Sequence, residues 1–381
     1  MPWSARSLLC CTLLTLSLTA SAAIPIPKPP LLDAKSYILL DFDSGRVLGE
    51  QNPDQRVEPA SITKVMTVYV AFDAIRQKRA SLDAQVPISE KAWRQGKDSS
   101  ESRMFLEVGK TAKLEDLLRG IVIQSGNDAA VAVAEFLGGS EDGFAQIMNH
   151  YAQTLGMKNT HYADASGMPN PEHYTTARDI ATLSSALIRN FPDLYKMFAE
   201  REFTYHGIHQ QNRNGLLGTD PSVDGIKTGH TESAGYCLAA SAKRGNMRLI
   251  SVVMGTPSIK AREAQNAALL SHGFTFYETT RLANPLLKPR IYKSGEGTAP
   301  VGLARDIYVT VPRGEAAGLK MQTKLNQPLV APLAAGQPVG EWTVTTAAGD
   351  SVARAPLVAL KAVPQAGWWT TLTDSIALWF K

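Results

Sequence analysis

The sequence predicts an α+β fold in which helices cover an antiparallel sheet, followed by a small all-β domain and a C-terminal amphipathic helix. The prediction depends on where the patterns fall: a hairpin pattern stands early, helical patterns fill the middle, and three strand patterns follow between residues 225 and 255. Strands on both sides of a helical stretch favour an antiparallel sheet with helices packed on it. The 381 residues are long for one domain and suggest two.

The composition is that of a globular protein. Hydrophobic residues make up 44% and charged residues 19%, which excludes a disordered chain. The formal net charge of +4 is small for this length, so nothing indicates nucleic acid as a partner. Cys10 and Cys11 fall in the leader described next, and a lone Cys237 can form no internal disulfide. We expect Cys237 to be a small hydrophobic residue buried in a strand.

The first residues have the pattern of a signal peptide. Arg6 supplies positive charge, an apolar stretch runs from Leu8 to Leu18, and Ala20-Ser21-Ala22 offers the small residues of a cleavage site. We expect cleavage after Ala22, with Ala23 as the nearest alternative. The other interpretation is a leader that stays attached as an anchor, although its apolar run is short for a bilayer. Cleavage would leave a mature chain that is exported from the cytoplasm.

The early elements are a hairpin and a buried helix. The hairpin runs from Ser36 to Asn52 around the turn Asp43-Ser44-Gly45. Ser61 to Gln77 has the pattern of a helix that is apolar on most sides, which places it at the centre of the domain. Further helices are predicted over residues 113–123, 128–136 and 178–188, and the polar stretch 124–127 separates the first two.

The later elements change to the period of strands. Strands are predicted over residues 225–231, 235–243 and 247–255, and the turn Arg244-Gly245-Asn246 joins the last two. A last helix from Lys260 to Arg281 is predicted to close this domain. From about Pro285 the pattern becomes short strands with Gly and Pro turns, over 306–312, 339–346 and 355–360, which is typical of a small all-β module.

The first motif with chemical meaning is Ser61-Ile62-Thr63-Lys64. Residues three apart on a helix share a face, so the Lys64 amine can reach the Ser61 hydroxyl. Serine is a weak nucleophile unless a base takes its proton, and burial lowers a lysine pKa so that the amine is neutral part of the time. A Ser-x-x-Lys spacing also arises by chance about once or twice in a chain of this length. Its apolar surroundings favour the functional interpretation, because a buried lysine needs a reason.

Two further motifs have a structural and a functional interpretation each. Ser125-Gly126-Asn127 is either the N-cap and turn of the next helix or a polar loop in which Ser125 relays a proton and Asn127 binds Lys64 and a substrate amide. Lys227-Thr228-Gly229-His230 is either an ordinary edge strand ending in a turn or a strand that holds a substrate carboxylate through Lys227 and Thr228. A small Gly229 would let a ligand approach the backbone closely.

The order Ser-x-x-Lys, Ser-x-Asn, Lys-Thr-Gly resembles the penicillin-binding protein and serine β-lactamase superfamily. The flanking residues resemble one subgroup, the low-molecular-mass D-alanyl-D-alanine carboxypeptidases of the penicillin-binding protein 5 and 6 type. The resemblance extends over nearly the whole mature chain, including a C-terminal β domain and a membrane-binding tail. The segments that carry it are Pro59–Lys64, Ser125–Ala129, Asn212–Leu217 and Asp224–Thr231.

The resemblance implies a fold of the β-lactamase and transpeptidase type and a reaction. Ser61 would attack the carbonyl between the two terminal D-alanines of a peptidoglycan stem peptide, with Lys64 as its base and Ser125 as a relay in some accounts. Asn127 would complete the catalytic set. Water would then hydrolyse the acyl-enzyme, and β-lactam antibiotics would acylate Ser61 as inhibitors.

The same resemblance implies how the substrate is held. Lys227, Thr228 and Arg213 would bind the terminal carboxylate. The oxyanion hole would use the backbone N–H of Ser61 and one near His230, after Gly229. His230 stands where many β-lactamases have a small hydroxyl residue, which favours the peptidase branch.

Other functions on the same sequence stay open as alternatives. They are a DD-endopeptidase or a β-lactamase on this fold, and a catalytically idle binding protein of the cell wall. No glutamate motif of the deacylating β-lactamase kind stands between residues 128 and 224. No His-Glu-x-x-His is present and the histidines are scattered, so no metal and no cofactor is expected.

The tail predicts a membrane-surface helix. If residues 367–381 are helical, six large apolar side chains fall within about a third of the helical wheel, and three of them are tryptophans. The segment is too short and polar to span a bilayer, so residues 364–381 would lie in the membrane plane. The alternative is a helix packed on the protein itself. The predicted organisation is 1–22 signal peptide, 23–283 catalytic domain, 284–361 β-rich domain and 362–381 anchor helix.

Overall fold

The computed structural model describes residues 26–95 and 101–380, so the predicted signal peptide lies outside the described residues. The elements of the larger, N-terminal part are, in chain order, β1 (Ser36–Asp41), β2 (Val47–Gln51), a 3₁₀ turn (Ala60–Thr63), α1 (Lys64–Arg76), β3 (Gln85–Pro87), α2 (Glu90–Arg94), β4 (Thr111–Lys113), α3 (Leu114–Arg119), a π turn (Gly120–Gln124), α4 (Asn127–Gly138), α5 (Glu141–Thr154), α6 (Ala177–Asn190), a 3₁₀ turn (Leu194–Ala199), β5 (Glu202–Tyr205), β6 (Ile208–Gln211), α7 (Leu216–Thr219), β7 (Val223–Thr231), β8 (Gly235–Arg244), β9 (Met247–Thr256) and α8 (Ile259–Phe276).

A five-stranded antiparallel sheet organises this part, with strand order β2-β1-β9-β8-β7. The N-terminal hairpin therefore pairs with the late strands, as the sequence predicts. Leu39 stands opposite Ser251 in the β1–β9 pair, and Gly229 opposite Cys237 in the β7–β8 pair. Strand β7 lies at the edge of the sheet, where its outer side is open to a ligand.

Helices cover both faces of the sheet because its side chains alternate between two apolar clusters. Ile38 belongs to the cluster that contains α1, α4 and α6, whereas its neighbour Leu39 belongs to the cluster that contains α8. Val252 and Val253 divide in the same way, as the two-residue period of a strand requires. Helix α1 is buried from Lys64 to Ala74, so it is the central helix that the sequence predicts.

The structure differs from the sequence prediction after residue 276. Helix α8 ends at Phe276, and Tyr277–Leu282 forms strand β10 instead of continuing the helix to Arg281. The residues Tyr277, Thr279 and Thr280 have high strand propensity, and pairing with a second strand at residues 307–312 satisfies their backbone groups. Helix α5 is an additional element that the sequence analysis did not predict, although the Ser140 hydroxyl caps it by accepting the Gly143 N–H.

The C-terminal part is rich in strands, as predicted. Strands β12 (Val301–Gly302), β17 (Ser351–Ala359), β16 (Pro338–Thr345) and β14 (Lys320–Leu325) form a four-stranded sheet in that order. Strand β10 pairs with β13 (Ile307–Pro312). A separate apolar cluster around the fully buried Trp342 forms its core. Its elements are β10 (Tyr277–Leu282), β11 (Ile291–Tyr292), β12 (Val301–Gly302), β13 (Ile307–Pro312), a 3₁₀ turn (Ala316–Gly318), β14 (Lys320–Leu325), β15 (Leu329–Val330), β16 (Pro338–Thr345), β17 (Ser351–Ala359) and a final helix α9 (Trp368–Trp379).

Candidate active site

Ser61 and Lys64 meet where the 3₁₀ turn continues into α1. Ser61 is in the turn, Lys64 is the first residue of α1, and Lys64 Nζ lies 2.9 Å from Ser61 Oγ. Ala60 just before them has a φ of +47°, which is unusual for a residue with a side chain and is typical of the strained backbone found at functional sites. The pairing that the sequence predicts is therefore formed.

Lys64 is fully buried and has three oxygen neighbours. Besides Ser61 Oγ, its Nζ lies 2.7 Å from Asn127 Oδ1 and 2.7 Å from the backbone carbonyl of Ser166. A neutral amine has two N–H groups and one lone pair, so if the amide and carbonyl oxygens accept the two N–H groups, the lone pair faces the Ser61 hydroxyl. This is the arrangement that a general base for Ser61 requires.

The surroundings also make the neutral amine accessible at ordinary pH. The pKa of Lys64 is lowered to about 7, chiefly by burial and in smaller part by the positive charge of Arg213, against the opposing effects of Asp164, Asp128 and Glu101. Burial is the largest of these effects. Lys64 can therefore exchange a proton near neutral pH, which an exposed lysine cannot do.

Ser125 lies on the turn that precedes α4, Asn127 is the first residue of α4, and neither side chain caps that helix. Ser125 adopts a left-handed backbone conformation with a φ of +67°, and its buried Oγ has no hydrogen-bond partner among the described residues. Asn127 binds Lys64 through Oδ1 and donates from Nδ2 to Glu101 at 3.0 Å. The functional interpretation of the motif thus fits for Asn127. Ser125 is buried beside it, and within the described residues its hydroxyl makes no hydrogen bond to Lys64.

Lys227, Thr228, Gly229 and His230 lie on edge strand β7 beside the nucleophile. Lys227 is 2% exposed, and burial together with the charges of Lys64, Arg213 and Arg262 places its pKa well below the ordinary value. A Cβ at Gly229 would stand 3.0 Å from the Pro59 carbonyl and from Ile62, so a glycine is what lets the strand pack this closely against the Ser61 turn. His230 is exposed and stacks on Tyr236.

Three cations gather here without a matching carboxylate. Within the described part of the chain, no ion pair joins Lys227, Arg213 or Arg262 to an acidic side chain. Arg262, on α8, is 5% exposed, contacts the carbonyls of Gly229 and Arg213 at 3.4 Å, and leaves its Nε without a partner. Lys227 and Arg262 are buried and Arg213 is exposed, and basic groups without counter-charges create a site for an anion. Sequence reasoning missed Arg262, because a helical pattern does not show which arginine turns inward.

Asp164 and His173 are a second pair that sequence reasoning did not identify. Asp164 Oδ1 accepts the backbone N–H groups of Ser166 at 2.7 Å and Gly167 at 2.6 Å, while Oδ2 lies 3.1 Å from His173 Nδ1. Because a carboxylate can only accept, we assign the proton to Nδ1, which makes the longer 3.3 Å approach of the Ala163 N–H to that nitrogen the weaker contact. His173 Nε2 is 2.8 Å from Thr63 Oγ1. The pair thus links the Ser166 loop to the turn before Lys64.

The arrangement of the site is suited to acyl transfer by a serine nucleophile. The described residues contain no group of three or more His, Cys, Asp or Glu side chains that could hold a metal ion. Cys237, the free cysteine of the described chain, is buried, and burial raises its pKa to about 11, which makes it a poor nucleophile. An antiparallel sheet covered by helices, a serine paired with a buried lysine, and an anion site on the edge strand define a serine acyl-transfer enzyme of the penicillin-binding type.

Comparison with known proteins gives the family. Residues 24–258 match the family model described as D-alanyl-D-alanine carboxypeptidase, and residues 277–365 match the penicillin-binding protein 5 C-terminal domain. The chain belongs to the D-alanyl-D-alanine carboxypeptidase family. It is 43% identical to D-alanyl-D-alanine carboxypeptidase DacA of Escherichia coli strain K12 over 362 residues, which cover 93% of this chain and 90% of that protein.

Solved structures agree with this assignment. Penicillin-binding protein 5 of Haemophilus influenzae superposes with a TM-score of 0.85 at 40% identity, covering 89% of this chain and 100% of that one. Penicillin-binding protein D2 of Listeria monocytogenes in its cefotaxime-bound form superposes with a TM-score of 0.60 at 30% identity, covering 65% of this chain and 100% of that one. The predicted fold class and family are therefore confirmed.

Proposed function

We propose that this chain is a serine-type carboxypeptidase that removes the terminal D-alanine from peptidoglycan stem pentapeptides. The observation that carries the proposal is the contact of Ser61 Oγ with a buried Lys64 amine, 2.9 Å apart, beside the cations Lys227, Arg213 and Arg262. A nucleophile next to an anion site fits a substrate whose scissile bond is one residue from a free carboxylate. The family membership supports the same conclusion.

The acylation step follows from this geometry. Lys64 Nζ takes the Ser61 proton as Oγ forms a bond to the carbonyl carbon of the penultimate D-alanine. The C–N bond of the resulting tetrahedral intermediate then breaks, and the leaving amine takes a proton, either from Lys64 directly or through Ser125. D-Alanine departs and the peptide stays on Ser61 as an ester.

Deacylation uses the same groups in reverse. Lys64 takes a proton from a water molecule that attacks the ester carbonyl, and the Ser61 Oγ–C bond breaks as Oγ regains a proton. A β-lactam enters the same sequence, since opening its ring breaks a C–N bond in the same position. β-Lactams therefore act as acylating inhibitors of Ser61. Cefotaxime bound to the Listeria relative supports this part of the proposal.

The decisive experiment measures D-alanine released from a pentapeptide that ends in D-Ala-D-Ala, with the enzyme lacking residues 364–381 to keep it soluble. Ser61→Ala is the matched control, and a pentapeptide ending in L-Ala-L-Ala tests the stereochemistry. Release that survives Ser61→Ala would refute the mechanism. No release and no labelling by penicillin would instead favour an idle cell-wall binding protein.

The carboxyl-terminal helix supports a location at the periplasmic face of the inner membrane after cleavage of a signal peptide. Along α9 the apolar side chains are exposed, with Trp379 at 90%, whereas the single buried residue is Asp374. Asp374 accepts the Lys293 backbone N–H and pairs with Arg290 at 3.1 Å. The polar side of α9 thus contacts the β-rich part, which leaves its apolar side free for a lipid surface.

No helix within the described residues has the length and apolar character to cross a membrane. The attachment proposed here is through α9 at the lipid surface. The test is co-sedimentation of the full mature chain with phospholipid vesicles. Truncation before residue 364 should abolish it and leave D-alanine release intact. Pelleting of the truncated enzyme with vesicles would refute attachment through α9.

A further inference from the structure

The Lys64 amine is oriented by a backbone carbonyl as well as by Asn127. The Ser166 carbonyl that accepts a Lys64 N–H at 2.7 Å belongs to a loop between α5 and α6. A carbonyl on a loop is a precise acceptor only when other contacts fix that loop. What holds the Ser166 carbonyl in place therefore decides how well the lone pair of Lys64 faces Ser61.

One carboxylate fixes this loop. Asp164 Oδ1 gathers the N–H groups of Ser166, Gly167 and Met168 and the Ser166 hydroxyl, which closes the backbone around Ser166 into a tight turn. Gly167 has a φ of +86°, and the turn passes so close to the nucleophile segment that a Cβ there would stand 1.8 Å from the Ala60 carbonyl oxygen. The loop is thus wedged between its own carboxylate and the backbone beside Ser61.

His173 in turn fixes Asp164. Its Nδ1 donates to Asp164 Oδ2, its Nε2 accepts from the Thr63 hydroxyl, and its ring packs edge-on against Tyr162. The imidazole is 2% exposed, so solvent does not compete for these bonds. The chain of contacts begins at Thr63, passes through His173, Asp164 and the Ser166 backbone, and returns to Lys64, the residue after Thr63.

We propose that Asp164, held by His173, is a positioning residue for acyl transfer, and that it aims the Lys64 amine at Ser61 through the Ser166 carbonyl. The inference rests on the proposed function, since it concerns the same nucleophile and base. Neither residue contacts the position of a substrate in the described structure. Both act through the loop.

Charge adds to the effect of position. Burial alone would raise the pKa of Asp164, but the hydrogen bond from His173 and the N–H groups of Ser166 and Gly167 hold it well below its usual range. Asp164 is therefore an anion at every pH at which the enzyme would work. It is the largest of the acidic influences that raise the pKa of Lys64, ahead of Asp128 and Glu101, and it opposes Arg213 and the burial of the amine. Lys227 also faces Lys64 from β7.

Two substitutions separate charge from position. Asp164→Asn keeps an oxygen for the loop N–H groups, and its amide can donate to His173 if the imidazole shifts its proton to Nε2. It removes the charge and keeps the bonds. His173→Gln keeps the charge of Asp164 but has no donor where Nδ1 stands, whereas the His173→Asn amide can occupy that place and donate to Asp164.

The experiment measures the second-order rate of Ser61 acylation by a fluorescent penicillin from pH 5 to 9, with thermal unfolding of each variant as the check on folding. We expect Asp164→Asn to move the rising limb of the profile to lower pH, because the Lys64 ammonium loses a stabilising anion. His173→Gln should be acylated roughly tenfold to a hundredfold more slowly than the wild type, and the rising limb of its pH profile should stay at the wild-type pH. His173→Asn should recover most of that loss.

Thr67→Val is the matched control for a loosened loop. The Thr67 hydroxyl donates to the neighbouring carbonyl of Ala165 at 2.6 Å, so its removal disturbs the same loop without changing any charge. The rising limb of the pH profile of Thr67→Val should stay at the wild-type pH. A limb that does not move in folded Asp164→Asn, or wild-type acylation by His173→Gln, would overturn the proposal. If Asp164→Asn does not fold, the two His173 variants decide. A wild-type chain that takes up no penicillin overturns the proposed function and this inference with it.

Discussion

Replacing Gly167 by alanine tests how closely the loop and the nucleophile are packed. The added Cβ would stand 1.8 Å from the Ala60 carbonyl oxygen, 2.4 Å from the Ala60 carbonyl carbon and 2.8 Å from Thr63 Oγ1. Real Cβ contacts do not fall below 3.0 Å, so the backbone must separate by at least 1.2 Å to go from 1.8 Å to that limit. The neighbour is main chain, and it cannot avoid the clash by changing a rotamer.

The consequence falls on the reaction as well as on stability. A shift of 1.2 Å applied to Ser166 or to the Ser61 turn changes the 2.7 Å contact of Lys64 with the Ser166 carbonyl or its 2.9 Å contact with Ser61. A misplacement of about 1 Å at a catalytic centre can lower the rate by about a hundredfold. The positive φ of residue 167 costs about 1–2 kcal/mol for alanine, and forced overpacking adds typically 1–3 kcal/mol.

Gly156→Ala provides the matched control. Gly156 also has a positive φ, +78°, but a Cβ there meets nothing within 4 Å. Gly156→Ala therefore has the backbone strain of a positive φ without the steric clash. We expect Gly167→Ala to be labelled by penicillin about a hundredfold more slowly than Gly156→Ala and to melt at least about 2 °C lower. Equal labelling rates and equal melting temperatures for the two variants would refute the reasoning.

Three further predictions concern the base, the anion site and the tail. Acylation, followed by penicillin labelling, should rise with pH around a midpoint of about 7, because burial raises the free energy of the protonated Lys64 and the base must be neutral. Lys64→Arg should lower the labelling rate about 10²- to 10⁴-fold and remove that midpoint. Arg213→Ala should lower kcat/KM about tenfold to a hundredfold for a pentapeptide with a free carboxylate, and should change it far less for the C-terminal amide of that peptide in a parallel D-alanine-amide release assay. Asp374→Ala should raise the hydrogen-exchange rate of the α9 amides roughly tenfold to a hundredfold, because it removes the contacts of Asp374 with Arg290 and the Lys293 N–H, while D-alanine release stays at the wild-type rate. If the α9 amides remain protected, Asp374 does not hold α9 in place.

Sequence patterns predicted most of the fold because its elements have strong periodicity. The strands of the central sheet begin and end within two residues of the predicted ones, and α1 is buried as its apolar pattern requires. The pattern misassigned residues 277–281 because strand β10 follows helix α8 without a turn, so no Gly or Pro marks the change. Pairing with β13, about thirty residues later in the chain, decides that segment, and local propensity alone does not contain this contact.

The candidate site divides in the same way. Ser61, Lys64, Asn127 and Lys227 come together as their motifs predict, because motif spacing on one helix and on one edge strand fixes local geometry. The groups that support these residues could not be predicted from motif spacing. Arg262 is buried only because α8 packs against β8 and β9, and the eight residues between Asp164 and His173 form an irregular loop with no period from which their contact could be inferred.

The charges around Lys64 imply that the substrate itself tunes the base. In the free enzyme Arg213 lowers the pKa of Lys64, and Lys64, Arg213 and Arg262 together lower that of Lys227. A substrate carboxylate bound among these cations would offset their field, so the pKa values of both lysines should rise in the complex. Lys64 then becomes a stronger base, but one that is neutral only at higher pH, when a peptide that ends in a free carboxylate occupies the site. An amidated peptide would not provide this charge, so kcat should begin to rise at a lower pH with the amidated peptide than with the free one.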